Sequence, residues 1–186
     1  DTVASSGGFS PVFHLSSHCG GRPQWRDDII GFVPAQVKGM IAVGGAQGIY
    51  SLPEVLRSGV EAGNRAAVEM GASSQTFALP QSRARRDGPA IALYQVPHLK
   101  NTMRAPKQFV DLQNDVTSAS IELATREGFE SIEHIKRYTV MGFGTDQGKL
   151  GNINGLAIAA RVLKRTIPDV GTTVFRPNYT PVTFGA

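Results

Sequence analysis

Two rhythms of apolar residues divide this chain. From Gly39 the run G-M-I-A-V-G-G-A-Q-G is short, apolar and glycine-ended, the pattern of a small buried strand running into a turn. Leu52, Val55, Leu56, Val60, Ala67 and Val68 then recur at helical spacing and predict an amphipathic helix from Ser51 to about Met70. Its start is written in S-L-P-E, with Ser51 as N-cap, Glu54 completing a capping box and Pro53 in the first turn, and Gly71 stops it. Gly59 and Gly63 leave room on that helix for a neighbouring backbone. Upstream, residues 1–4 read as a short strand and Phe9 to Leu15 as a loop with apolar anchors, with Trp25, Phe32 and Val33 packing beneath it.

Periodicity is lost from Gly71 to Pro89, a stretch rich in Ser, Ala, Gln, Arg and Pro. The division is therefore residues 1–72, a linker at 73–89, and a second unit at 90–186. In the second unit Ala90–Val96 and Phe109–Leu112 are strand-like. A helix follows from Ser118 to Glu127, capped by Thr117, burying Ile121, Leu123 and Ala124, and stopped by Gly128. Another runs from Ser131 to Thr139 and buries Ile132 and Ile135. A third begins at Asn152 or Asn154 and keeps Ile153, Leu156, Ala157, Ala160 and Leu163 on one side to about Arg165, where Ile167-Pro168 ends it. The tail, with Pro177, Pro181 and many β-branched residues, is extended. The fold class is α/β for the first unit, with an edge of a parallel sheet, and α-rich for the second.

Composition changes this picture little: 186 residues, 41% hydrophobic and 18% charged, are ordinary for a globular chain. The net charge of +4 is scattered, and its one cluster, Arg83, Arg85 and Arg86, sits in a polar segment beside Gly88 and Pro89, so a solvated loop is expected and nucleic acid is not. A single cysteine, Cys19, excludes an internal disulfide framework and a multi-thiolate metal site, and points to a reducing, cytoplasmic setting. His14 and His18 have helical spacing, but no further ligands complete a metal set, and Ser16, Ser17, Gly20 and Gly21 argue against a helix there. No apolar stretch reaches membrane-spanning length. His134 has no Ser, Cys or carboxylate placed to make it a catalytic base, so no catalytic residue is assigned. The opening D-T-V-A-S-S-G-G reads like an internal strand and turn, as expected of part of a longer polypeptide.

The stretch Arg137 to Gly155, R-Y-T-V-M-G-F-G-T-D-Q-G-K-L-G-N-I-N-G, carries the clearest chemistry. It joins one helix to the next through Gly142, Gly144 and Gly148. Converging N–H groups, a following helix start and the Lys149 charge suit a phosphate. Arg137, Thr145, Gln147 and Lys149 can all donate to phosphate oxygens. The spacing is not that of a Walker A loop, and Leu150 follows the lysine where Ser or Thr is required. A glycine-rich connection with a solvated lysine is the alternative. The turn after Gly39 is a second, weaker place for a nucleotide to approach backbone.

Four blocks, F-V-D-L-Q-N-D-V-T, G-F-E-S-I-E-H-I-K-R-Y-T, G-T-D-Q-G-K and G-T-T-V-F-R-P-N-Y-T-P-V-T, resemble the alpha subunit of heterotetrameric sarcosine oxidase, in order and in spacing. The resemblance covers essentially the whole chain. It implies that residues 1 to about 72 are the end of a two-dinucleotide-binding, Rossmann-like FAD/NAD-type domain, and that the second unit is the family's small middle domain. The family's opening G-x-G-x-x-G turn and its folate-binding domain are not in this sequence, so an internal portion is expected and tetrahydrofolate would meet only a domain absent from it. The family oxidises N-methylglycine at an FAD in a beta subunit and passes electrons to an FMN shared between alpha and beta; gamma and delta subunits complete the assembly. The resemblance implies the alpha side of that FMN site here, with Arg137, Thr145, Gln147 and Lys149 on the phosphate and Thr172, Thr173 and Arg176 near the same interface. It also implies part of an NAD site at Gly44, Gly45, Ala46, Tyr50 and Ser51; Gly45 stands where relatives that bind FAD carry an aspartate. The second unit further resembles small iron–sulfur (BFD-like) domains, but Asp111, Gln113, Asp146 and Gly151 occupy the cysteine positions, and no cluster can form without thiolates. Leu150-Gly151 replaces a Thr-Ser found in some relatives. The alternatives are a non-catalytic nucleotide-binding or assembly module and a subunit of a related oxidase for dimethylglycine or another N-methyl amino acid.

Overall fold

The computed structural model describes residues 9–79, 81–82, 91–176 and 183–185. It separates into two compact units, Asp1–Ala90 and Ile91–Ala186, so the division falls at the end of the stretch read as a linker. The strand expected at residues 1–4, the Arg83, Arg85 and Arg86 cluster and much of the C-terminal tail lie outside the described residues.

In the first unit a short helix α1 (His14–His18) precedes an antiparallel hairpin of β1 (Gln24–Arg26) and β2 (Gly31–Val33), in register Trp25 to Phe32. Helix α1 forms despite its serines and flanking glycines; the Ser16 and Ser17 hydroxyls fold back onto the Phe13 carbonyl (2.9 and 3.2 Å), so neither is left unsatisfied within the turn. The expected packing of the aromatic residues is present: Phe32 meets Trp25 edge-on at 5.1 Å and Phe13 at 6.4 Å. The run from Gly39 differs from expectation. Val37 and Met40 form one isolated antiparallel bridge, residues 41–43 pair with nothing, and Gly44–Gln47 coil into a 3-10 turn. Both sheets among the described residues are antiparallel pairs, so the expected parallel edge is not seen.

The long helix α2 (Leu52–Glu69) begins and ends as read, with Ser51 at the N-cap and Gly71 closing its C-terminus. The Ser51 side chain makes no capping hydrogen bond, so the capping box does not form. None of the residues of α2 is buried, and nothing lies within 4 Å of where a Cβ on Gly59 or Gly63 would stand. The close backbone approach expected there is not made among the described residues.

The second unit is built on helices. Residues 91–99 form no strand, contrary to expectation. A small hairpin, β3 (Phe109–Asp111) and β4 (Val116–Thr117), leads directly into α3 (Ser118–Arg126), which Thr117 caps by accepting from the Ser120 N–H (3.2 Å). Helices α4 (Ile132–Thr139) and α5 (Asn152–Leu163) lie close to the bounds read from periodicity. A short helix α6 (Ile167–Val170) follows where only a stop was expected; Thr166 and Asp169 cap it reciprocally, which allows Pro168 its place in the first turn. Helix α3 packs on α4 and α5, and Ile121, Ala124, Ile135 and Met141 are wholly buried. Each large side chain of that core contributes about 1.5–3 kcal/mol by leaving water. Gly155 lets α5 approach the segment that follows α4: a Cβ there would stand 2.3 Å from the Met141 sulfur.

Candidate functional site

The loop between α4 and α5 is organised by two carboxylates of the chain itself. Asp111, at the end of β3, is buried and receives N–H groups from Gln113 (2.8 Å) and Asn114 (3.0 Å) on one oxygen. The other oxygen receives Gly142 N–H (2.7 Å) and the Asn114 amide (3.3 Å). Burial by itself raises this carboxyl; the Gly142, Asn114 and Gln113 donors outweigh it and hold the group below the ordinary aspartate range. Asp146 also takes up N–H groups further along, accepting from Gly148 N–H (3.0 Å) and, weakly, from Leu150 N–H (3.4 Å). The glycine N–H groups that sequence suggested would converge on an external anion therefore converge largely on Asp111 and Asp146.

Asn152, the first residue of α5, sits between Gly142 and Gly148. Both glycines have φ 74°, and a Cβ on either would stand 2.8 or 2.1 Å from the Asn152 oxygen. The Asn152 amide nitrogen donates to the Thr173 hydroxyl (2.6 Å), deep in the protein, while its oxygen is buried without a partner. Gln147 itself is held left-handed (φ 54°), a conformation that costs a residue with a Cβ about 1–2 kcal/mol. Its side-chain oxygen accepts the Arg176 N–H at 2.6 Å. The Lys149 ammonium lies 5.1 Å over the Phe175 ring and donates to the Asp146 carbonyl (3.3 Å). Burial lowers the Lys149 value, with Asp146 opposing the shift.

The tail segment 172–176 is thus bound back onto the loop at Asn152, Gln147 and Lys149. Of the residues singled out from sequence, Gln147, Lys149, Thr173 and Arg176 are brought together. Thr145 joins through a paired contact of its hydroxyl with the Gln113 side chain (3.0 and 3.2 Å). Thr172 reaches only the Thr173 carbonyl, at 3.4 Å. Arg137 is not drawn in: its guanidinium pairs with Glu133 at 3.0 Å, one turn back on α4, and with the Glu133 carbonyl at 2.8 Å. Sequence reading gave Asn152 only as a helix start and assigned no site role to Phe175, and named Asp111, Gln113 and Asp146 only as replaced cysteines. The Asp111-x-Gln-Asn order is the available signal, being that of a side chain folding onto N–H groups two and three residues on.

In the first unit Gly44, Gly45 and Ala46 share the 3-10 turn, with the Tyr50 ring 3.9 Å from where a Gly45 Cβ would stand. Gly44 N–H donates to the Ser58 hydroxyl (3.3 Å), and the Arg26 guanidinium fixes the turn through the Gln47 carbonyl (2.8 Å) while holding Asp28. Tyr50 is half-exposed and donates to the Phe9 carbonyl (3.1 Å). Ser51 stands at the N-cap of α2, so the turn and a helix start face the same short stretch. The His14 and His18 rings meet edge-on at 5.8 Å, and among the described residues no group of three or more His, Cys, Asp or Glu is placed to hold a metal. None of the described helices is long and apolar enough to cross a membrane.

Comparison with known proteins agrees with the pattern of the second unit. Residues 105–186 match the family model of the sarcosine oxidase A3 domain. The chain is 39% identical over 188 aligned residues to sarcosine oxidase subunit alpha of Rhizobium meliloti (strain 1021), and 37% identical over 190 to that of Corynebacterium sp. (strain P-1). Each alignment covers 100% of this chain but only 18% and 20% of the relative. Among solved structures, L-proline dehydrogenase from P. horikoshii superposes with a TM-score of 0.70 at 18% identity, over 95% of this chain and 37% of that one, a likeness of mixed α/β fold. Residues 105–186 thus match the sarcosine oxidase A3 domain, and the whole chain is similar, end to end, to a part of sarcosine oxidase alpha subunits.

Proposed function

We propose that this chain is part of the alpha subunit of a flavin-dependent oxidase of the sarcosine type and that its second unit supplies the alpha side of an FMN site. The observation that carries this reading is the closure of the 172–176 segment onto the loop, which brings Arg176 to Gln147 and Phe175 to Lys149, while Asp111 and Asp146 each have their carboxylates engaged by N–H groups. The donor set fits a phosphate monoester. Lys149 supplies the charge, Thr145 and Gln147 supply neutral donors, and the Asn152–Thr173 bond keeps the two segments in place. Arg137 joins only by releasing Glu133, and Thr172 lies beside the anchored Thr173. FMN, when bound, supplies a carrier of two electrons between the amine-oxidising flavin and dioxygen. The chain's own part is binding, with no residue that activates the amine.

In this reading an FAD resides in a partner beta subunit, where sarcosine is oxidised to glycine and a one-carbon unit, the electrons pass on through FMN to dioxygen to give hydrogen peroxide, and gamma and delta subunits complete a cytoplasmic heterotetramer. Dimethylglycine or another N-methyl amino acid is the competing substrate. The first unit contributes part of an NAD site at Gly44, Gly45, Ala46, Tyr50 and Ser51, supported by the shared turn and the α2 start. A second reading, an assembly module without flavin, is favoured by one feature: α2 carries an apolar stripe yet has no buried residue. Native mass spectrometry of the protein from its own source separates the two. Co-migration with a larger flavoprotein and one FMN beyond its FAD is the expected result. A chain associated with partners that carry no flavin overturns the oxidase reading.

A further inference from the structure

The second unit contains a cavity far from the loop. It has a volume of about 510 Å³, within the range of small-molecule sites, and lies between the irregular segment 92–102 and the α5 face bearing Ala157, Ile158 and Arg161. Arg161 is nine residues beyond Asn152, about 13 Å along the helix from the phosphate loop. The wall is pinned rather than loose. The Arg161 Nη2 donates to Gln95 (2.7 Å) and to Glu122 (2.8 Å), Thr102 donates to the same Glu122 oxygen (2.6 Å), and Gln108 holds the Val96 carbonyl (2.8 Å).

The charge of the lining is one-sided. Lys100 and Arg161 line the cavity and no aspartate or glutamate does; Glu122 is spent on Arg161 and Thr102 behind it. Among the described residues the Lys100 ammonium has no partner, and Arg161 keeps its Nη1 and Nε donors unused. Leu93, Val96, Pro97 and Ile158 give the remaining wall an apolar character. Tyr94 is part of the same wall, and its hydroxyl is shut from solvent with no partner, a state that costs about 1–3 kcal/mol. Burial raises the phenol value, so it remains a neutral donor. An acceptor brought within its reach satisfies it.

From this juxtaposition we propose that the cavity between segment 92–102 and α5 is a binding site for a small organic carboxylate with an apolar body. The Lys100 ammonium and the unused N–H donors of Arg161 take the carboxylate, the apolar wall takes the body, and no carboxylate in the lining pairs with an ammonium. A simple carboxylate is therefore favoured over a zwitterionic amino acid. The site is separate from the phosphate loop and does not rest on the FMN reading.

Benzoate titrated into the isotope-labelled full chain, followed by amide NMR, tests this. Saturable shifts confined to residues 93–102 and 157–161, without matching shifts at 142–152, are expected. Benzylamine, with the same body and opposite charge, and inorganic phosphate, an anion without a body, should each bind at residues 93–102 and 157–161 at least tenfold more weakly, whatever phosphate does at the loop. Lys100→Glu, on an exposed residue that costs the fold nothing, should weaken benzoate about fivefold or more through charge reversal. Ala157→Leu, which fills the floor, should abolish the shifts. No saturable binding at residues 93–102 and 157–161, equal binding of benzylamine or phosphate at those residues, or a Lys100→Glu affinity within twofold of the parent would each overturn the proposal.

Discussion

Replacing Asp111 by asparagine changes one atom of a side chain and should dismantle the loop it holds. In the native protein both carboxylate oxygens are surrounded by donors, two N–H groups on one and an N–H and an amide on the other. Asparagine offers one acceptor oxygen and turns an NH2 toward the remaining pair, so two donors lose their acceptor whichever way the amide is placed. Hydrogen bonds to a charged acceptor are worth about 1.5–3 kcal/mol each and do not add fully, so the expected loss is about 2–4 kcal/mol. For a unit of this size that is roughly a 10–30 °C fall in midpoint. Trp25, the single tryptophan, lies in the first unit, so its fluorescence serves as an internal control while amide exchange at Gly142 and in α5 follows the second. The pH dependence has a definite sign. The folded carboxyl is held below its ordinary value, so its contribution is complete above the unfolded value near about 4 and is lost as pH falls through the folded one. Asp111→Asn should flatten that acid limb. A second-unit stability within about 0.5 kcal/mol of the parent, with the acid limb unchanged, would refute the role given to this carboxylate.

Further outcomes follow from the same geometry. Gly128→Ala meets only the strain of φ 95° in open space and should cost about 1 kcal/mol in a denaturation midpoint, whereas Gly148→Ala adds a collision with Asn152 and should cost at least about twice as much. Equal costs would show that Asn152 yields. Thr117→Ala removes the α3 cap and should lower second-unit stability by about 1 kcal/mol, checked by urea unfolding. Lys149→Ala should weaken FMN retention in the reconstituted complex by about 1–3 kcal/mol, and in the parent retention should fall as pH rises through the Lys149 value that burial has lowered. Unchanged flavin occupancy would remove Lys149 from the site.

Local signals in the sequence determined the helices of the second unit. Periodic apolar residues and stops such as Thr117 and Gly128 act over a few residues, so α3, α4 and α5 were legible without knowledge of their neighbours. Strands depend on a partner, and residues 41–43 and 91–96 found none among the described residues, so their composition misled. The loop was recognisable as glycine-rich and cationic. Only the tertiary structure decided where its N–H groups point, because Asp111 comes from 31 residues earlier and Thr173 from 21 residues later, separations over which no spacing rule operates. For the same reason Arg137, adjacent in sequence, is left with Glu133, while Arg176, remote in sequence, is bonded to Gln147. Chain position set the helices; long-range hydrogen bonds set the site.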